Sequence, residues 1–447
     1  MTQQTIYALS TVYGKSGVAV IRISGAKALN AVKALTDIQT NDITPRYAYF
    51  TTLHDYKTKE PLDHALVLYF KAPHSFTGED IVEIQCHGSK AVLASLIESL
   101  SNIQDFRLAE PGEFSKRAFY HQKMDLTEAE GLADLIDAET SEQQKQALRQ
   151  MSGNLKNLYY SWREQLLEVY AYLEAYIDFP DEEIPNSIIE KNLNTVFKLK
   201  NEIKTHLNSS TSGERLREGF RVVLTGPTNA GKSSLINAIT KRQAVIVSDT
   251  PGTTRDAIDI FLDIAGYPVI LTDTAGLRES TDAIEKQGIK MAHKKIKEAD
   301  FILALFDASK DTPAVFNGLI KQNKNKLFLV ANKKDKLNPE QIQNLKKQGC
   351  AIISAKTKDG LSDLFDKIKT RIQESIGSNS GLLITRERYR EALRVCLENL
   401  ENFNFDKEIE LSAEDIRLAS RALGKITGQI ETNEILDKIF GSFCIGK

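Results

Sequence analysis

Residues 226–233 read Gly-Pro-Thr-Asn-Ala-Gly-Lys-Ser, a G-x-x-x-x-G-K-S spacing suited to wrapping a polyphosphate. Residues 220–225 predict a strand before this loop, and 235–239 predict a helix after it. In that setting glycines let backbone N–H groups approach phosphate oxygens, and the helix N-terminus adds positive potential. The expected contacts come from Asn229, Ala230, Gly231, Lys232, Ser233 and Ser234. Lys232 would neutralise β- and γ-phosphate charge, and Ser233 would ligate magnesium.

Four further elements follow in a telling order. Gly252-Thr253-Thr254 offers a hydroxyl, expected to be that of Thr254, for a magnesium ion when the γ-phosphate is present. Asp273-Thr274-Ala275-Gly276 closes a predicted strand at 269–271, with Asp273 expected to hold the metal shell and Gly276 to sense the γ-phosphate. Asn332-Lys333-Lys334-Asp335 follows an apolar strand at 327–330. The Asp335 carboxylate can accept from N1–H and the 2-amino group of guanine, donors that adenine does not present together. Ser354-Ala355-Lys356 follows 351–353 and is expected to support the base through backbone donors. Together these elements predict an enzyme that hydrolyses GTP to GDP and phosphate. Many small GTPases carry a water-orienting glutamine directly after the third element. Here Leu277 stands in that place, so another polar group is needed, and Glu279, Asp282 and Glu285 are the nearby acidic candidates.

The elements that must position these loops fall into three patterns within 447 residues, a length that suits two to four domains. Residues 1–119 alternate short β-rich runs (18–23, 65–70, 81–85) with helix-like pieces such as 91–100, which predicts an α+β domain. From 120 to 218 the pattern is helical, with Leu155, Leu158, Tyr159, Trp162, Leu166, Val169, Leu173 and Tyr176 at three- and four-residue spacing. Residues 219–374 alternate strands with helices, the mark of a mostly parallel sheet. After a linker at 375–381, helical periodicity occupies the rest of 375–447, with Ser412 and Asp415 spaced as a capping box. The expected fold is therefore multidomain: α+β, then an all-α domain in two parts, interrupted by an inserted Ras-like α/β P-loop G domain.

The flanking motifs carry a resemblance along nearly the whole chain. Asn229-Ala-Gly-Lys-Ser-Ser, Ser248 with Asp249-Thr250-Pro251-Gly252-Thr253-Thr254-Arg255, and Asp273-Thr-Ala-Gly-Leu-Arg278 resemble the bacterial MnmE (TrmE) family of tRNA-modification GTPases. Phe76-Thr-Gly-Glu-Asp80, Pro111-Gly-Glu-Phe-Ser115 and Phe443-Cys-Ile-Gly-Lys447 strengthen the match. The resemblance implies a tetrahydrofolate-binding-like N-terminal domain that also dimerises, so that the chain works as a homodimer. It also implies modification at C5 of the wobble uridine of certain tRNAs. The family's FAD-dependent partner MnmG would share that work in a heterotetramer or larger complex, adding an aminomethyl or carboxymethylaminomethyl group.

It implies, further, a potassium ion bound by Asn229, Ser248, Thr250 and Thr253 in place of an arginine finger, and Glu285 as the catalytic group. For 5-formyltetrahydrofolate or a related one-carbon folate, the implied residues are Arg22, Glu83, Lys123 and Lys447. Cys444 matches the family's C-terminal cysteine.

Composition sets limits on these readings. A formal charge of −2 and a pI near 6.4 argue against a globally basic nucleic-acid binder, so RNA contact would rest on a local patch. Lys286, Lys290, Lys294, Lys295 and Lys297 read as a solvated helix face. The four cysteines lack metal-ligand spacing, and the polar N-terminus lacks the layout of a secretion signal. A cytoplasmic protein without a membrane span is the expectation. The competing reading is a ribosome-assembly checkpoint GTPase, disfavoured because neither flank carries a Gly-x-x-Gly clamp in a basic setting. A nucleotide-controlled scaffold for the partner oxidoreductase is a third.

Overall fold

A computed structural model describes residues 4–179, 186–208, 211–241, 259–273, 294–376, 383–404, 408–430 and 433–446. Contacts divide the chain into two compact units, Met1–Ala133 with Lys156–Arg163 and Leu423–Lys447, and Asp134–Leu155 with Glu164–Ala422.

The first unit is built on a six-stranded sheet. Its strands are β1 (Thr5–Leu9), β2 (Ser16–Ser24), β3 (Ala48–His54), β4 (Pro61–Phe70), β5 (Ile81–Gly88) and β6 (Phe106–Leu108), in the order β3-β4-β5-β2-β1-β6. Period-two alternation turns Ala19, Ile21 and Ile23 of β2 and Ala65, Val67 and Tyr69 of β4 toward one face. The helices Leu29–Leu35 and Lys90–Ser101 cover that face with Val32, Leu35, Leu93, Leu96 and Leu100. Ser89 starts the second helix by accepting from the Val92 amide at 3.1 Å.

The second register of alternation puts Arg22 and Glu83 opposite one another on antiparallel β2 and β5. Farther along, Leu126 and Ala129 pack with Leu436, Ile439 and Phe440. The last residues return to β1, where the Ser10 hydroxyl donates to the Gly446 carbonyl at 3.1 Å.

The second unit holds the other sheet: β7 (Phe220–Thr225), β8 (Asp259–Ile264), β9 (Tyr267–Asp273), β10 (Phe301–Asp307), β11 (Leu327–Asn332) and β12 (Ala351–Ile352). The order is β12-β11-β10-β7-β9-β8, parallel throughout except for β8. β10 is buried along its whole length, as a central parallel strand requires.

Helical segments on both sides of this sheet in the sequence meet within the same unit. Gln150 donates to the Tyr389 hydroxyl at 3.2 Å and accepts from Thr385 at 3.1 Å. Asp134 pairs with Arg386 at 2.7 Å, and Glu214 with Arg390 at 3.1 Å. The G-domain segment thus interrupts a set of helices that remain in contact.

The helix Asn154–Asp178 carries the expected apolar stripe, with Leu155, Tyr159, Trp162, Leu166, Val169 and Leu173 buried. One expectation is corrected. Ser412 does not begin a helix, because the helix Ile409–Thr427 starts three residues earlier. The buried Ser412 hydroxyl donates to the Asn404 carbonyl at 2.6 Å, tying down the preceding chain instead of capping.

Candidate nucleotide and N-terminal sites

The loop after β7 owes its shape to three backbone positions. Gly226 lies at φ 157°, Asn229 at 66° and Gly231 at 97°. A Cβ at residue 226 would fall 2.0 Å from the Leu305 carbonyl, so the loop leaves β7 pressed against β10. Asparagine is among the few side chains that tolerate the left-handed region, which suits position 229. Gly231 precedes the helix Lys232–Thr240, and Ser233 and Ser234 are exposed on its first turn. Lys232 folds back over the loop, donating to the carbonyls of Gly226 and Pro227 at 2.8 Å each.

Asn332 joins this loop to the predicted base-binding segments. Its Nδ2 donates to the Ala230 carbonyl at 2.8 Å, and its Oδ1 accepts from the Ala355 amide at 3.0 Å. A Cβ at Gly231 would sit 2.3 Å from that same Nδ2. Asn332 is buried, so its amide is a strut rather than an exposed contact.

Beside it, Asp335 is exposed and accepts from the Ser354 hydroxyl at 2.6 Å. That hydrogen bond holds the Asp335 carboxyl below the usual range. The Lys334 amide donates to the Ile353 carbonyl at 3.0 Å, completing the join between the two segments. Lys356 is exposed. Asp273 ends β9 in register with Leu224, which puts it beside the root of the phosphate loop.

One participant was not anticipated. Asp307, at the end of β10, pairs with Lys333 at 2.5 Å and accepts from the Ser309 hydroxyl at 2.6 Å. Burial raises its carboxyl, but these hydrogen bonds outweigh it and hold the group low. The sequence signal was a lone carboxylate closing an otherwise apolar strand. Lys333 itself lies at φ 67°.

The donor set fits a nucleotide with its magnesium in the described part: a glycine-shaped cradle, a lysine over it and a hydroxyl on the following helix. Ser248, Asp249, Thr250, Pro251, Gly252, Thr253, Thr254, Thr274, Ala275, Gly276, Leu277, Glu279, Asp282, Glu285, Lys286, Lys290 and Lys447 lie outside the described residues. Of the basic run, Lys295 lies 3.8 Å from Asp259 and Lys294 3.9 Å from Glu298.

In the first unit, Arg22 and Glu83 form an ion pair at 2.9 Å. The guanidinium lies 5.4 Å from the Phe76 ring centre and 5.9 Å from that of Phe114. Glu83 also lines a cleft of about 350 Å³ with Arg46, Phe70, His74, Ser75 and Phe76. Lys123 is exposed beside Gly78, where a Cβ would lie 3.4 Å from its Cε. Cys444 is exposed, and its carbonyl accepts from the Gly112 amide at 3.4 Å.

The motifs flanking this pair serve mainly as a scaffold. Arg117, 1% exposed, binds Glu79 at 2.9 Å and Glu113 at 3.0 Å. Arg107 grips Glu113 through two bonds of 2.6 and 2.7 Å. Burial alone would raise the Glu113 carboxyl; the two guanidiniums and the Glu110 amide bring it below its usual value. Gly112, at φ 66°, lies against the Phe440 carbonyl, which a Cβ would approach to 2.3 Å. The role of Arg117 is not legible in the sequence because its partners are separated from it by up to 113 positions.

The family description "MnmE helical domain" matches residues 126–444, and "GTP-binding protein TrmE N-terminus" matches residues 5–123. The tRNA modification GTPase MnmE of Rickettsia typhi is 47% identical over 446 residues, covering 99% of this chain and 100% of that protein. Its counterpart from Rickettsia prowazekii is 48% identical over 451 residues, with the same coverage of 99% and 100%. Among solved structures, the G domain of the T. maritima FeoB iron transporter aligns at 25% identity over 34% of this chain and 99% of that one, with a TM-score of 0.27. Among the described residues, no helix is long and apolar enough to cross a membrane.

Proposed function

The chain belongs to the MnmE family of tRNA modification GTPases, and from that premise we propose that GTP hydrolysis in residues 219–374 drives modification at C5 of the wobble uridine of certain tRNAs. The observation that carries the nucleotide part is the double grip of Asn332 on Ala230 and Ala355. It fixes the phosphate loop and the base-binding segments as one rigid seat.

In this reading the amides of the loop from Asn229 to Ser234 bind phosphate oxygens, and Lys232 moves from the loop carbonyls to the β- and γ-phosphates. Asp335, kept ionised by Ser354, accepts from the guanine edge while Ala355 and Lys356 line it. Magnesium held by Ser233 and Thr254, and potassium held by Asn229, Ser248, Thr250 and Thr253, supply positive charge beside the phosphates when bound. Glu285 orients the attacking water, the task that Leu277 cannot perform.

The partner reading is a homodimer acting with the FAD-dependent MnmG and tRNA in the cytoplasm. The exposed Phe50 and Leu66, paired across β3 and β4, suit a dimer surface in domain 1–119. Arg22, Glu83, Lys123 and Lys447 are read as the residues for 5-formyltetrahydrofolate or a related one-carbon folate. The Glu83 cleft, with aromatic walls and a carboxylate that can pair pterin donors, supports that placement. The helical parts 120–218 and 375–447 would carry motion between the two sites.

Nucleoside analysis of tRNA from cells lacking the chain tests the assignment. Loss of the C5 modification at the wobble uridine is expected, and unaltered wobble uridines overturn it. GTP hydrolysis is expected to be faster in potassium than in sodium; equal rates remove the potassium role. Glu285→Ala is expected to abolish turnover while preserving nucleotide affinity, and substantial remaining hydrolysis excludes Glu285.

A further inference from the structure

Strand β10 ends on Asp307, a carboxylate that is 4% exposed and committed at both oxygens. Oδ1 accepts from the Ser309 hydroxyl at 2.6 Å and from the Ser309 amide at 3.1 Å. Oδ2 accepts from the Lys333 ammonium at 2.5 Å, and no second cation pairs with Asp307 among the described residues. A buried carboxylate needs such a partner, and the partner is anchored in return. Next to it the Ala308 amide donates to the Asn332 carbonyl at 3.1 Å. The end of β10 therefore holds residues 332 and 333 together.

The conformation of the anchored residue gives the ion pair its meaning. Lys333 lies at φ 67° and ψ 39°, in the left-handed region, although its side chain is not one of the few that suit it. That one residue turns the chain from extended β11 into the short 3-10 turn Lys334–Lys336. The Lys336 amide donates to the Lys333 carbonyl at 2.9 Å, and the Lys334 amide to the Ile353 carbonyl at 3.0 Å. Asp335 rides on this turn, with Ser354 fixing its carboxylate from the other side. A Lys333 that relaxed to negative φ would swing the turn and carry Asp335 away from Ser354.

We propose that Asp307 is a positioning residue for guanine selection: by holding the Lys333 ammonium, it keeps residue 333 in the left-handed conformation that presents Asp335 to the base. This rests on the reading of Asp335 as the acceptor for the guanine edge. Asp307 touches no substrate and acts only through Lys333. The seat is set before the nucleotide arrives, so binding does not have to supply the cost of an unfavourable backbone conformation.

The test compares GTP with ITP, whose base lacks the 2-amino group, in steady-state hydrolysis by the full chain with magnesium. Asp307→Asn keeps the side-chain volume and an acceptor for Ser309 but removes the charge. It is expected to raise KM for GTP about tenfold, roughly 1.4 kcal/mol, with the loss in KM rather than kcat. KM for ITP should rise less, so the preference for GTP over ITP shrinks; damage to the phosphate loop would raise both alike. Two double variants then separate backbone from charge, because both lack the ion pair. Asp307→Asn with Lys333→Gly should bring KM for GTP back to within about threefold of the unmodified chain, since glycine takes the left-handed conformation unaided. Asp307→Asn with Lys333→Ala should stay as weak as Asp307→Asn alone. An undiminished preference for GTP in Asp307→Asn, a loss confined to kcat, or equal KM in the two double variants would overturn the proposal. If Asp335→Asn also keeps the preference for GTP over ITP, the reading of Asp335 falls as well; if only Asp307→Asn keeps it, the proposal alone falls.

Discussion

The nucleotide loops and the Arg117 network are both marked by dense sequence motifs, yet the motif residues do opposite work. Around Asn332 they hold backbone open: Gly226 and Gly231 make room, and Lys232 rests on carbonyls it can leave. Around Arg117 they close on one another, with Glu79 and Glu113 gripping a guanidinium that is 1% exposed. A motif therefore signals a geometric demand, and only the accessible side chains reveal whether that demand serves a ligand or the core. Asp335 faces outward, whereas Glu113 is consumed inside.

This contrast predicts that damage to the network should lower stability with little effect on nucleotide binding, and the reverse for the loops. Arg117→Met takes the cation from half-buried Glu79 and one of the two cations from buried Glu113, and is expected to cost about 3 kcal/mol in denaturant unfolding of the first unit. GTP affinity measured on the same folded protein should not change; a parallel fall would break the division.

Asp125 sharpens it, as a buried carboxylate with an unmet need. Its carboxyl is pushed up to about 6, first by burial, from an ordinary 3.8. The folded state thus holds the proton more tightly than the unfolded chain. The penalty for ionisation, on the order of 3 kcal/mol for a shift of this size, is complete above the folded value and fades as pH falls toward the unfolded one. Stability should rise as pH is lowered from about 6 to about 4 through this group. Asp125→Asn should flatten that slope and stabilise the protein at pH above 7; an unchanged slope in urea titrations would exclude Asp125 as its source.

Asn332→Ala removes two buried hydrogen bonds and should cost about 2 kcal/mol in the G domain. GTP affinity should fall more than roughly tenfold, because the seat loses its brace. Stability loss without an effect on nucleotide affinity would make Asn332 part of the core only.

The smallest effect is expected at the two-residue hairpin joining β8 to β9, where Ala265 and Gly266 lie at φ 52° and 92°. Gly266 accepts from the Glu142 amide at 3.1 Å, and a Cβ there would meet the Ser141 hydroxyl at 2.6 Å. Gly266→Ala should cost about 1 kcal/mol by thermal unfolding, part of it restored by Ser141→Gly. No recovery in the double variant would show that backbone strain alone sets the cost.

Much of this was legible in the sequence because it is local. The strand–loop–helix at 220–240, the stripe from Leu155 to Leu173, and the ordered nucleotide motifs each rest on neighbours within a few residues. What was hidden depends on distant partners. Gly112 is needed by the Phe440 carbonyl, and Arg22 meets Glu83 through sheet register across 61 positions. Asn332 stands in the segment expected to bind the base, and its strut geometry appears only when β11 and the phosphate loop are brought together. Ser412 shows the converse, a local signal overridden by a bond to Asn404.

The nucleotide seat is the centre of the account, and base specificity tests it most directly. Xanthine carries a carbonyl where guanine carries the 2-amino group, so an amide at residue 335 can donate where the carboxylate could only accept. Hydrolysis of GTP and XTP by the chain and by Asp335→Asn should therefore be compared under identical salt and magnesium. The variant is expected to lose GTP turnover at low substrate by roughly 100-fold and to gain XTP turnover. Retained preference for GTP in a folded Asp335→Asn protein would contradict it.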